Sequence, residues 1–256
     1  VEVKMEYVAL GKTNLMVSRT SFGTGGIENL DDEEALSIIN KGYEKGINFF
    51  DLASVSLQNP LRYTFIDKRD SVILGVQTSA KNANELLEEV ENFFTVFKTD
   101  YIDLLHLHHL AFVPVKNDSS GLIACLERLK EEGKIKYYGF STESLSLAEE
   151  AIESGLYATL RFPFNYVSNA QEIDLLRHCK EAELGFIAYK PLLGGKIQNI
   201  PLAFGFLRQY ETAVPVWGFR SEDELQQIIY FEEHPPQVDS QFLQDIEQEK
   251  ALFFGV

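Results

Sequence analysis

The chain has 256 residues, 45% of them hydrophobic and 24% charged, and a formal net charge of −16. That is enough chain for one large core, and so acidic a surface repels nucleic acid and anionic membranes, which excludes both as expected partners. No apolar run approaches the roughly 20 residues of a membrane-spanning helix, the opening Val1–Tyr7 alternates charged and apolar residues unlike a signal peptide, and the two cysteines, Cys125 and Cys179, show neither metal nor redox spacing, so a reduced, cytoplasmic setting is expected.

In chain order, residues 7–18 read as a hairpin turning around Gly11 and Asn14, and residues 20–23 as a first strand. Asp31, Asp32, Glu33 and Glu34 open a helix with carboxylates at its positive end, and Gly46 stops it. A strand over 48–52 comes next; the stretch 59–65 after it gives at most a short helix. Strands three and four are predicted over 72–77 and 102–108. Leu122, Ile123, Leu126 and Leu129 then keep helical spacing until Gly133. From there strands over 137–141, 159–162, 186–189 and 214–217 alternate with helices over 144–154, 169–182, 203–210 (short) and 221–230. Several strands are continuous apolar runs, as parallel strands buried on both faces require. Eight such units form either a closed (β/α)8 TIM barrel or an open doubly wound sheet. No Gly-x-Gly-x-x-Gly joins a strand to a helix, and Gly23-Thr24-Gly25-Gly26 is too short for one, which favours the barrel. With no linker in the middle, residues 1–256 read as one barrel domain, an α/β fold whose N-terminal β-hairpin can plug the lower mouth. The apolar ending fits either a terminal helix docked on the barrel or truncation before a further segment.

Function on a barrel collects where strands end. The polar residues there are Asp51, Gln77, His106, His108, Ser141, Asn165, Tyr189, Lys190 and Arg220. Asp51 is either the N-cap of a helix after its strand or a buried carboxylate that orients a cation or an acid. His106 and His108, two apart on one strand, share a face, and with Asp103 upstream they stand between a functional pair and satisfied core residues. His-x-His on a barrel strand resembles the metal site of amidohydrolases, but His109 points the other way and His178 and His234 fall on a helix and a loop, so no metal is expected. Lys190 is either a surface-loop lysine or a Schiff-base candidate.

Leu10-Gly11-Lys12-Thr13, Phe22-Gly23-Thr24-Gly25, Gly46-Ile47-Asn48-Phe49-Phe50-Asp51, Thr99-Asp100-Tyr101-Ile102-Asp103-Leu104, Leu107-His108-His109, Gly139-Phe140-Ser141, Phe162-Pro163-Phe164-Asn165 and Ala188-Tyr189-Lys190-Pro191-Leu192-Leu193-Gly194-Gly195 stand in an order that resembles the aldo-keto reductase family over nearly the whole chain. The resemblance implies hydride transfer between NADP(H) and a small-molecule carbonyl or alcohol, with an Asp–Tyr–Lys–His tetrad. In that tetrad the tyrosine donates a proton, lysine and aspartate lower its pKa, and histidine orients the carbonyl. Asp51 matches the aspartate and His108 the histidine. Ser56 stands at the tyrosine position and Gln77 at the lysine position; serine is a far weaker acid than a phenol and glutamine carries no charge. Asp51 is therefore expected to lack a cationic partner, and His108, with a near-neutral pKa, to polarise or protonate the carbonyl alone. Tyr63 or Lys81 could replace the missing groups only through loop rearrangement.

On the cofactor side, the resemblance makes Tyr189 the ring that stacks on nicotinamide. Ser141 holds the carboxamide, Thr142 replaces the asparagine beside it and Arg161 replaces the usual glutamine. Gly23 and Thr24 border the site, Lys190, Pro191, Leu192 and Gly194 form the pyrophosphate loop, and Gly218, Phe219, Arg220 and Ser221 form the adenosine-phosphate segment. Loss of both tyrosine and lysine resembles a bacterial and archaeal branch whose members often carry a cysteine-rich, ferredoxin-like C-terminal segment, absent from this chain. A catalytically silent barrel that binds cofactor or a protein partner is the alternative expectation.

Overall fold

Eight parallel strands close into a barrel in the computed structural model, which describes residues 5–53, 65 and 67–255. The strands are β3 (Ser21–Gly23), β4 (Phe49–Leu52), β5 (Ile73–Thr78), β6 (Ile102–His108), β7 (Ile135–Ser141), β8 (Thr159–Pro163), β9 (Gly185–Tyr189) and β10 (Ala213–Gly218), and β10 pairs with β3 to close the ring. The barrel strands agree with the sequence reading to within two residues at each end.

A two-stranded antiparallel hairpin, β1 (Tyr7–Ala9) and β2 (Met16–Ser18), precedes the barrel. Its Leu10, Leu15 and Val17 join Phe49, Leu104, Ile187, Val214 and Val216 in one apolar cluster inside the barrel. The hairpin thus closes the end opposite the strand C-termini. Gly11 lets the turn lie against the barrel: it adopts φ 56°, and a Cβ there would stand 2.2 Å from Gly185 N.

Eight α-helices surround the barrel among the described residues: α1 (Asp32–Glu44), α2 (Ala83–Phe97), α3 (Leu122–Glu131), α4 (Leu145–Ser154), α5 (Ala170–Glu181), α6 (Ile200–Arg208), α7 (Glu222–Glu233) and α8 (Ser240–Phe254). Side-chain caps mark their starts, with Asp31, Asn82, Ser144, Asn169 and Ser221 accepting from backbone N–H groups of the first turn. Helix α2, which the sequence reading does not single out, is the plainest amphipathic element: Leu86, Val90, Phe93 and Phe97 form its buried stripe. Helix α8 seats Phe242 and Ile246 in the core. The expected short helix over 59–65 lies outside the described residues apart from Phe65, which packs on Phe50 at 4.8 Å between ring centroids. No described helix is long and apolar enough to cross a membrane.

Strand β6 sorts its residues by face. Leu104 belongs to the interior cluster, so His106 and His108 also point inward, while Leu105 and Leu107 pack with the helices. Asp103 therefore faces outward, away from the histidines. Its carboxylate, 1% exposed, accepts from Leu74 N at 3.0 Å and pairs with Arg69 Nη2 at 2.8 Å and Lys136 Nζ at 2.7 Å. Arg69 also reaches Val72 O, Tyr101 O and Thr99 Oγ1, and lies 3.8 Å over the Tyr101 ring. Asp103 is thus a fastener between β5, β6 and β7 and adds nothing to the histidine pair. Removing one partner of a buried pair leaves the rest unsatisfied and costs about 3–5 kcal/mol. Asp103→Ala should lower the chemical denaturation midpoint by an amount of that order. Asp103→Asn, which retains an acceptor for Leu74 N, should lower it less; equal midpoints for wild type and alanine variant would refute the assignment.

Candidate active site

Asp51 ends an apolar strand and is 2% exposed, so its carboxylate must find its partners inside the protein. Gln77 Nε2, from the neighbouring strand β5, donates to Oδ1 at 2.7 Å. Arg161, from β8, donates to Oδ2 through Nε at 3.1 Å and Nη2 at 2.9 Å. The expectation that Asp51 lacks a cation is therefore corrected: the positive charge comes from β8 instead of β5. Sequence reading assigned Arg161 to the carboxamide of a cofactor because that is what glutamine does there, and overlooked how far a guanidinium reaches.

Arg161 makes two further contacts. Its Nη1 donates to Ser141 Oγ at 3.3 Å, and its guanidinium carbon lies 3.8 Å from the centroid of the Tyr189 ring. Strand register makes this possible, since His108, Ser141 and Arg161 are consecutive partners across β6, β7 and β8. His108 completes the row and meets the Tyr189 ring edge-on, with centroids 6.5 Å apart. Asp51, Gln77, His108, Ser141, Arg161 and Tyr189 are thus gathered at the mouth where the strands end.

The histidines are neutral. Burial, then the positive charge of Arg161, lowers the His108 pKa to about 4, which corrects the expectation of a near-neutral value. His106, one step deeper, is driven well below the usual histidine value by burial, Arg161 and His108; its Nε2 meets Thr159 Oγ1 at 2.9 Å. The Nδ1 atoms of both rings are buried without a hydrogen-bond partner. His106 is a core residue beneath His108. Tyr189 does not supply the missing phenol acid: burial and Glu143 raise its pKa, and its hydroxyl donates to Glu143 Oε1 at 3.0 Å.

A cleft of about 350 Å³ opens beside this cluster. Gly23, Thr24, Asp51, Arg161, Tyr189, Lys190, Pro191, Leu192, Gly194, Gly218 and Arg220, all singled out from sequence, line it, together with Gly25, Gly26, Ala53, Gly195 and Val216. The loop after β9 is wound unusually: Lys190, Leu193, Gly194 and Gly195 all adopt positive φ, between 47° and 90°. Such windings turn backbone N–H groups toward a concavity that suits anions, and Gly194 has open space where a side chain would stand.

Other expected residues have structural partners of their own. Thr142 Oγ1 accepts from Ser144 N at the turn into α4, Ser221 caps α7, and Phe219 is buried against Phe22 at 4.9 Å. Lys81 is exposed ahead of α2, and Ser56 and Tyr63 lie outside the described residues. Glu143 escaped the sequence reading: it pairs with Lys190 Nζ at 2.6 Å, which holds its own pKa down. Its signal was a carboxylate two residues after Ser141, next to the pair expected to hold a carboxamide. Arg220, likewise, is held by Glu224 at 2.6 Å. Each cation of the cleft thus carries its own carboxylate.

A dinucleotide fits this site unevenly. The glycine-lined half, with the wound loop and Arg220 at the start of α7, lies open along the cleft. At the other end, Tyr189 and Ser141, which would receive the nicotinamide, are both engaged by Arg161.

Comparison with known proteins covers most of the chain. A family model described as the aldo/keto reductase family matches residues 19–202. L-galactose dehydrogenase of Arabidopsis thaliana is 26% identical over 216 residues, covering 75% of this chain and 67% of that protein. An NADH-specific methylglyoxal reductase of Escherichia coli (strain K12) is 22% identical over 264 residues, covering 91% and 80%. The chain spans about two thirds of the length of several such relatives. The solved structure of aldo-keto reductase AKR11C1 from Bacillus halodurans, in its holo form, superposes with a TM-score of 0.81 at 19% identity over 96% of each chain, a likeness of fold.

Neutral burial of His108 makes stability depend on pH. The folded pKa is about 4 against 6.5 for the free side chain, so the unfolded state takes up the proton first as pH falls. This contribution is complete above about pH 6.5 and is lost progressively down to about pH 4. The urea midpoint should therefore fall between pH 6.5 and 5, above the range where most carboxylates titrate, and His108→Gln should flatten that fall. An identical slope in the variant would show that His108 is not the group responsible.

Proposed function

The chain belongs to the aldo/keto reductase family, and from that premise we propose that it is an NADP(H)-dependent oxidoreductase moving hydride between a nicotinamide cofactor and a small carbonyl or alcohol substrate. The observation that carries this reading is the set of Asp51, Gln77, Arg161, Ser141 and His108 around the mouth of a glycine-lined cleft. A scaffold alone would have no need for a fixed carboxylate, a neutral imidazole and a wound anion-binding loop to converge.

When bound, the cofactor supplies the hydride. The chain's own residues bind, orient and polarise. Gly194, Gly195 and their loop offer backbone donors to a pyrophosphate. Arg220, beside the capped start of α7, is suited to a 2′-phosphate. Its pair with Glu224 is an exposed i,i+4 contact, worth about 0–1 kcal/mol, so a phosphate dianion can take the guanidinium over. The acidic residues Glu222, Asp223 and Glu224 pull the other way, and the name of one relative specifies NADH. The preference for NADP(H) rests on Arg220. His108, neutral, donates a hydrogen bond to the substrate oxygen. Arg161, tied to Asp51 and Ser141, lies beside it over the Tyr189 ring.

The proton is the weak point. Ser56 stands where the family places a phenol, and losing a positioned general acid costs about 10²–10⁴ in rate. A second reading, a barrel that binds cofactor without turning over, draws on one observation: Arg161 covers the ring and the hydroxyl meant for nicotinamide. Titration with NADPH and NADP+, followed by NADPH oxidation on a panel of small aldehydes, separates the two.

Two outcomes are expected. Arg220→Ala should weaken NADPH binding about fivefold or more while leaving NADH almost unchanged; equal, unaltered affinities would remove the NADP preference. Wild-type turnover on ordinary aldehydes should be very low. Ser56→Tyr with Gln77→Lys alone should help little, because lysine and Arg161 would then crowd one carboxylate; adding Arg161→Gln should raise turnover about tenfold or more. Brisk wild-type turnover that survives His108→Ala would mean the catalytic residues are misassigned.

A further inference from the structure

Arg161 meets, with one side chain, both groups that would otherwise receive a nicotinamide ring. Its guanidinium carbon stands 3.8 Å over Tyr189, the spacing of two stacked planes, and its Nη1 bonds Ser141 Oγ. Tyr189 is only 6% exposed and belongs to the apolar cluster inside the barrel, so no second open face remains for a ring. Arg161 is itself 8% exposed and tied to Asp51 through two N–H groups. A guanidinium is planar, cationic and rich in donors, which makes it a fair imitation of an oxidised nicotinamide with its carboxamide.

We propose that Arg161 is a built-in occupant of the nicotinamide subsite, so that the adenosine-phosphate half of the cofactor is held by the open cleft while the ring must displace Arg161 before it can bind. This rests on the reading of the cleft as a nicotinamide dinucleotide site. The cleft then takes an adenosine nucleotide bearing phosphates nearly as well without the nicotinamide ring as with it. Displacement is resisted because it opens a buried ion pair and leaves Asp51 with Gln77 alone, a far less favourable arrangement. A ligand that needs a sparsely populated arrangement of its site loses affinity in proportion to that population. The exposed pairs Lys190–Glu143 and Arg220–Glu224 impose no comparable barrier on the phosphates.

The test compares two probes on the full chain, NADPH and adenosine 2′,5′-bisphosphate, by calorimetric titration. In the wild type the two dissociation constants should lie within about threefold of each other. Arg161→Gln should tighten NADPH about tenfold or more and leave the bisphosphate within about twofold. Because that variant leaves a buried carboxylate without its cation and can unfold, the double variant Asp51→Asn, Arg161→Gln is measured beside it; it removes both charges together and should show the same selective gain. Wild-type protein that already binds NADPH about a hundredfold more tightly than the bisphosphate, with no gain in either variant, would overturn the proposal and leave the dinucleotide reading standing. An equal gain for both probes would overturn it too, by locating the effect of Arg161 in the phosphate half. If neither probe binds, the dinucleotide reading itself fails and the proposal falls with it.

Discussion

A carboxylate sealed inside a parallel barrel needs a counter-charge and a full set of hydrogen bonds, and Asp51 obtains both from Arg161 and Gln77. Gly75 pairs with Asp51 across β4 and β5, and a Cβ at Gly75 would already lie 3.4 Å from Asp51 Oδ1 and 2.9 Å from the Phe49 ring. On the β5 side Gln77, a neutral amide, bonds the carboxylate without adding charge. On the β8 side, the long arginine stem spans the mouth and its planar fork reaches carboxylate, hydroxyl and ring together. A lysine there would supply one point of charge and none of the stacking.

The same economy of charge runs through the cleft. In a chain of net charge −16, a cation left alone at the surface is a rare resource, and Arg161, Lys190 and Arg220 each sit within 2.9 Å of a carboxylate oxygen. The three pairs are not equivalent. Lys190–Glu143 and Arg220–Glu224 are screened by water and salt and exchange partners cheaply. Arg161–Asp51 is shielded, so it persists where the others yield. An anionic ligand entering this cleft meets two exchangeable pairs and one fixed pair. That difference divides the cleft into an adaptable part at Lys190 and Arg220 and a resistant part at Arg161.

Much of this was legible in the sequence, for a physical reason. Eight apolar strand runs between amphipathic helices leave few folds open, so the barrel and the strands that carry Asp51, His108, Ser141 and Tyr189 could be read from hydrophobic periodicity and family motifs. The Gly-rich loop after β9 was legible because glycine marks positive φ. What could not be read were contacts between strands far apart in the chain. Asp51 and Arg161 are 110 residues apart, and nothing local to either predicts that a substituted arginine reaches back to the aspartate. Glu143 was missed for the same reason, since its meaning depends on Lys190 and Tyr189 lying opposite. Asp103 misled in the reverse direction: adjacent to the histidine strand in sequence, it faces the other side, where Arg69 and Lys136 claim it. Burial also overrode the ordinary histidine pKa, which no sequence position reveals.

Moving the site's cation from β5 to β8 redistributes its electrostatic work. Where the resemblance puts a lysine beside the aspartate, β5 carries the neutral Gln77. The positive charge instead joins the row formed by His108, Ser141 and Arg161. There it has two effects. It lowers the His108 pKa, which removes the imidazole as an acid at neutral pH. It also supplies the counter-charge to the buried Asp51 carboxylate. The arrangement therefore favours a mouth in which the imidazole stays neutral and the cation stays with Asp51, so that whatever enters meets one closed ion pair before it reaches Tyr189 and Ser141.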